Sequence, residues 1–224
     1  MNILETNIIS NAIAFVKNAH ADAEAGHDWL HIERVLHNAL KIGERENVDM
    51  TIVILAVLLH DIADAKFHDG DETIGPRKTR AYLESQNIET KIVDHVVAIV
   101  ENMSYRKSLG QLSFQSRELE VVQDADRLDA IGAIGIARAF SYGGFKGRPF
   151  YDEDHVALRN MTQEQYQKSQ AATINHFYEK LLLLKDKMNT ETGREMAQNR
   201  HNFMLMYLEQ FYEESGINPL GHSK

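Results

Sequence analysis

The sequence predicts an all-α protein. Three observations carry that reading: apolar residues recur at helical spacing, no apolar–polar alternation runs for more than a few residues, and only three prolines interrupt 224 residues. Helices are expected near 3–19, 29–46, 51–62, 76–86, 89–102, 118–140, 163–188 and 193–214. The first rests on Ile8, Ile9, Ala12, Ile13, Val16 and Ala19; the second rests on Val35, Ala39 and Ile42, with Asp28 placed to cap it. The third, TIVILAVLLHD, is apolar on all sides and is therefore expected in the interior. Pro76 fits the first turn of the fourth, whereas Pro149 and Pro219 fall in loops. Thr162 with Gln165, and Thr192 with Glu195, have the spacing of capping boxes for the last two helices. Two stretches, MSYRKSLGQLSFQS (103–116) and GGFKGRPFY (143–151), mix glycine with basic and aromatic residues. Each could serve as a lid or phosphate-facing loop, but the favoured reading is a surface connection with solvated charges.

Composition narrows the function. An apolar fraction of 43% and a charged fraction of 25% fit a soluble globular protein, read as one domain over 1–224 with a C-terminal helical pair (about 163–214) packed on it. A net charge of −9 argues against a nucleic-acid partner, because binding a phosphate backbone needs a basic surface. It leaves room for a phosphorylated small molecule whose charge is met locally. With no cysteine there is neither a disulfide framework nor a thiolate metal site, which suits the cytoplasm. The longest apolar run, IVILAVLL (52–59), is far short of the roughly 20 residues that cross a bilayer, so no membrane association is expected.

The pair His-Asp occurs three times, at 27–28, 60–61 and 68–69. Capping by Asp28 is sufficient explanation for the first, and the third lies in the polar run KFHDGDE. The second is different. It ends a helix that is apolar on every face, where ionisable groups must be paired or bound to something. A structural His-Asp hydrogen bond is one solution; a metal ion is the other. Partners for a metal exist elsewhere: His31, with Arg34 one turn along on the same face, and Asp124, Asp126 and Asp129 in VVQDADRLDAIG. Two imidazoles and two carboxylates from three helices suit Mn²⁺, Fe²⁺, Co²⁺ or Ni²⁺, and Mg²⁺ less comfortably. Four such ligands around a six-coordinate ion leave positions for water and a phosphoryl oxygen.

Through HDWLHIERV, LLHDIAD and DADRLDAIG the sequence resembles the HD-domain metal-dependent phosphohydrolases, whose motif is H…HD…D on a helical bundle. The tail FYEKLLLLKDKMNTETGREMAQNRHNFM is similar to that of small bacterial members, so the resemblance spans nearly the whole chain. It implies His31, His60, Asp61 and Asp126 as ligands of one divalent ion, Mn²⁺ favoured. Helical periodicity alone would choose Asp124 as the fourth ligand, and the family's element chooses Asp126. The resemblance also implies Asp64 as general acid or base. Arg34, Lys66, Arg127, Lys146 and Arg148 are candidates for substrate phosphates, each with the plainer reading of a solvated cation. His95, alone in an apolar helix, is read as a core residue with a hydrogen-bonded ring rather than part of a second metal centre.

The resemblance implies hydrolysis of a nucleotide phosphoanhydride or phosphomonoester, with a nucleotide phosphohydrolase or pyrophosphatase as first choice and a nucleoside-triphosphate pyrophosphatase among the possibilities. A non-catalytic nucleotide sensor and a phosphodiesterase with the same metal chemistry are the alternatives. The apolar stretch NFMLMYLEQFY (202–212) is read as core packing, with a homodimer contact left open.

Overall fold

A computed structural model of the chain describes residues 4, 6–20, 28–63, 71, 73–103, 114–152 and 170–217. Among these the α-helices are α1 (Asn7–Ala19), α2 (Trp29–Gly43), α3 (Met50–Leu59), α4 (Ile74–Ser85), α5 (Thr90–Asn102), α6 (Arg117–Asp129), α7 (Gly132–Phe145), α8 (Asn175–Glu179) and α9 (Glu191–Ser215), with a 3₁₀ segment at Leu181–Lys187. No strand occurs among the described residues, so the chain is all-α. None of the described helices is long and apolar enough to cross a membrane. The chain divides into two compact units, Met1–Asp126 and Arg127–Lys224.

The first unit is built around α3. Every residue from Ile52 to Leu59 is buried, as an unbroken apolar run demands, and α1, α2 and α5 pack against it. Asp49 starts the helix, its carboxylate accepting from the backbone N–H groups of Thr51 (2.8 Å) and Ile52 (3.3 Å). Buried side-chain amides tie α6 into the same unit: Asn38 Nδ2 donates to Ala125 O at 3.1 Å, and Gln123 Nε2 donates to Asn102 O at 3.0 Å. His95 is a hydrogen-bonded histidine: its Nε2 lies 3.0 Å from Ser116 Oγ, which also caps α6 by accepting from Leu119 N.

The second unit departs from sequence expectation in four places. The helix expected over 118–140 is broken at Ala130 and Ile131, between α6 and α7. Gly132 at the corner has φ +76, and a Cβ there would stand 3.0 Å from Arg200 Cγ. The Arg200 guanidinium donates to Leu128 O at the end of α6. Arg138 reaches back from α7 to Asp129, Nη1 to Oδ2 at 2.6 Å, around a carboxylate that is almost fully buried. Arg138→Ala removes one ion pair from that buried carboxylate and should cost about 2–4 kcal/mol, read from the urea midpoint.

The described part of 163–188 is not one helix. Lys180 interrupts it (φ −142, ψ −58), and LLLLKDK winds as 3₁₀, whose eclipsed i, i+3 positions put the buried Leu181 and Leu184 on one face. The last helix begins at Glu191, and its cap is Thr190, which accepts from Gly193 N at 2.9 Å, not Thr192. The Thr162–Gln165 pair and residues 104–113 lie outside the described residues. The stretch 143–151 is the end of α7 plus its cap: Arg148 N donates to Gly143 O (2.9 Å) and Gly147 N to Gly144 O (3.1 Å), with Gly147 at φ +65. That is a Schellman closure, which accounts for Gly147 at the left-handed position.

One histidine in this unit makes stability depend on pH. Burial, reinforced by Lys180 and Arg148, pulls the His176 imidazole from 6.5 down to about 3. The folded ring therefore stays neutral while the unfolded ring takes a proton below about 6.5. Its contribution is complete above that pH and falls by about 1.4 kcal/mol per unit on acidification, towards about pH 3. His176→Phe should flatten the stability–pH curve between pH 6 and 4, which chemical unfolding across that range checks.

Candidate metal centre

Three helices bring the chemistry together in the first unit. His31 stands in the first turn of α2, where the Asp28 carboxylate accepts from its backbone N–H at 3.0 Å and fixes the start of the helix. His60 closes α3, and Asp61 follows it in the turn. Asp126 is on α6, next to the peptide that Asn38 of α2 holds. His31, His60 and Asp126 each offer a ligand atom, and these atoms all lie within 4.8 Å of one another. His31 Nε2 is 3.5 Å from Asp126 Oδ1 and 3.9 Å from Asp61 Oδ2, and the two imidazole rings are 5.6 Å apart, edge to face.

The donor set fits a divalent cation. Ligand bonds of about 2.1 Å place two ligand atoms about 3.0 Å apart when adjacent and about 4.2 Å apart when opposite. The 3.5 and 3.9 Å separations fall in that range, and both exceed the roughly 2.7–2.9 Å of a charge-assisted hydrogen bond. His60 Nδ1 lies 2.7 Å from Val57 O. A carbonyl can only accept, so the proton is on Nδ1 and the lone pair of Nε2 is left for an ion. The same contact bears on the structural alternative: that ring nitrogen satisfies its own helix rather than Asp61. The centre also sits at the carboxyl end of α3, where the helix dipole favours positive charge.

The DADRLD carboxylates separate by environment. The Asp126 side chain is 40% exposed and faces His31, Asp124 is 0% exposed, and Asp129 is held by Arg138. Arg34 is half-buried on α2, one turn beyond His31. Arg127 donates to Lys187 O at 2.7 Å, a helix-end tie to the backbone. Lys146 and Arg148 belong to the second unit, where Lys146 lies over the Phe145 ring (5.1 Å) and Arg148 over Tyr142 (5.7 Å). Asp64 and Lys66 lie outside the described residues. One residue that the sequence did not single out reaches the centre: His20, at the end of α1, places Nε2 3.1 Å from the backbone oxygen of Asp61. No local pattern could have found it, because the contact spans 41 residues.

An all-helical unit with His, His-Asp and Asp converging from three helices defines a class, and the comparisons agree with it. Residues 29–131 match the HD domain, and the chain belongs to the HD-domain family. Its relatives include the uncharacterized protein YpgQ of Bacillus subtilis, 40% identical over 204 residues, 89% of this chain and 90% of YpgQ. Among solved structures, an HD-superfamily hydrolase from Bacillus thuringiensis is 40% identical with TM-score 0.74, over 94% of this chain and 98% of that one. The crystal structure of B. subtilis YpgQ in complex with ADP is 38% identical with TM-score 0.73, over 96% of each chain.

Proposed function

We propose that this chain is a divalent-metal-dependent phosphohydrolase acting on a nucleotide, with a nucleoside triphosphate the favoured substrate and Mn²⁺ the favoured ion. The observation that carries the reading is the convergence of His31, His60 and Asp126 within 4.8 Å, with Asp61 beside them. ADP in the YpgQ complex supports a nucleotide as ligand. His31, His60, Asp61 and Asp126 would hold the ion. Bound there, it supplies Lewis-acid polarisation of a phosphoryl oxygen and acidifies water for attack at phosphorus. Arg34 balances phosphate charge from the α2 side, and Asp64 is assigned the proton transfer. Lys66, Arg127, Lys146 and Arg148 are weaker candidates for phosphate contacts in this reading.

The test is product release from a nucleotide panel, using metal-stripped protein resupplied singly with Mn²⁺, Mg²⁺, Co²⁺ and Ni²⁺. Pyrophosphate from a nucleoside triphosphate is the expected result. Orthophosphate from a monophosphate would keep the metal chemistry and change the bond cleaved. No turnover with any metal, alongside tight binding of one nucleotide, would replace the enzyme with a sensor.

A further inference from the structure

The His-Asp turn is held by more than its own helix. α3 ends at Leu59, and a helix end leaves its last carbonyls without intrahelical partners. Three of the carbonyls there are accounted for. Val57 O faces His60 Nδ1 at 2.7 Å, Leu59 O accepts from Ile62 N at 3.2 Å, and Asp61 O faces His20 Nε2 at 3.1 Å. The other nitrogen of His20 is 2.9 Å from Val16 O, one turn back in α1. Both neighbours are carbonyls, and a neutral imidazole carries one N–H. Val16 O already accepts the backbone N–H of His20 at 3.0 Å, so the ring proton is assigned to Nε2, which donates to Asp61 O. It links the end of α1 to the peptide of the residue whose carboxylate points at His31. Fixing the Asp61 carbonyl fixes the plane of that peptide, and with it the direction in which the Asp61 side chain leaves the backbone. α1 and His20 precede the 29–131 stretch that matches the HD domain, so this support comes from outside the family motif.

We propose that His20 is a positioning residue of the metal centre, holding the Asp61 peptide and through it the Asp61 carboxylate. The proposal rests on reading His31, His60, Asp61 and Asp126 as ion ligands. The experiment compares wild type with His20→Ala, His20→Gln and His20→Asn. Mn²⁺ affinity is measured from the signal of free Mn²⁺ in electron paramagnetic resonance, and metal-free thermal unfolding is recorded for each protein. A glutamine carries its amide nitrogen about where Nε2 of histidine sits, and an asparagine carries it about where Nδ1 sits. Ala and Asn should therefore lose about 10–100-fold in Mn²⁺ affinity, while Gln returns to within a few-fold of wild type. A structural role would not separate Gln from Asn when their metal-free melting temperatures agree. Wild-type affinity in His20→Ala, or equal loss in Gln and Asn, overturns the role of His20. Asp126→Ala binding Mn²⁺ as well as wild type would overturn the metal centre itself, and the two failures are therefore distinguishable.

Discussion

Asp126→Ala is expected to keep the fold and lose the metal. The side chain is 40% exposed, so its removal should change stability by no more than about 0.5 kcal/mol. Mn²⁺ affinity should fall by more than about 100-fold, since a lost ligand costs at least what a lost supporting contact does. Hydrolysis should fall by about three orders of magnitude, equivalent to about 4 kcal/mol of barrier. Asp124→Ala is the control two residues away and should behave in the opposite sense. Its carboxylate is fully buried, so truncation leaves whatever it satisfies unpaired and costs about 1–3 kcal/mol of stability, with Mn²⁺ affinity in the surviving folded protein close to wild type. Titration calorimetry and urea unfolding of the two variants separate the assignments. Metal loss in Asp124→Ala with retention in Asp126→Ala would return the fourth ligand to the position that helical periodicity favours.

That contest shows what the sequence could and could not carry. The wholly apolar run at 52–59 announced a buried helix, and the His-Asp pair at its end marked a candidate site, because ionisable groups beside a buried helix have to be balanced. The Asp28 cap was equally legible, being a local interaction over three residues. The helix wheel favours Asp124 and the family element favours Asp126; the wheel is a weak guide here because α6 is buried over Val121–Ala125, so an apolar stripe no longer marks one inward face. The corner at Ala130–Ile131 was hidden for a related reason. AIGAIGIA is rich in residues that suit a helix or a turn, and the break is fixed by partners far along the chain, with Arg200 on Leu128 O and against Gly132. His20 carried no signal, since its contact with Asp61 O, 41 residues on, exists only once α1 packs against the His-Asp turn.

Leu55→Ala carries the other large effect and tests whether the fold and the centre are separable. Leu55 is fully buried in α3, five residues before His60, and removing three carbons from such a site costs about 2–5 kcal/mol depending on how far the cavity closes. The metal acts on the same equilibrium by mass action. At a free Mn²⁺ concentration of 100 times its dissociation constant, the folded state gains about 2.7 kcal/mol. Leu55→Ala should therefore unfold at lower urea than wild type without metal, then recover by the same increment as wild type when Mn²⁺ is added. Asp126→Ala should show the reverse, near-normal stability without metal and almost no increment with it. Equal increments in wild type and Leu55→Ala mean the His-Asp turn keeps its geometry while the helix beneath it loses packing. That is the behaviour expected if His60 on Val57 O and His20 on Asp61 O hold the turn. A reduced increment in Leu55→Ala would mean instead that the turn inherits its geometry from the core, and that the apolar run before the His-Asp pair is itself part of the metal centre.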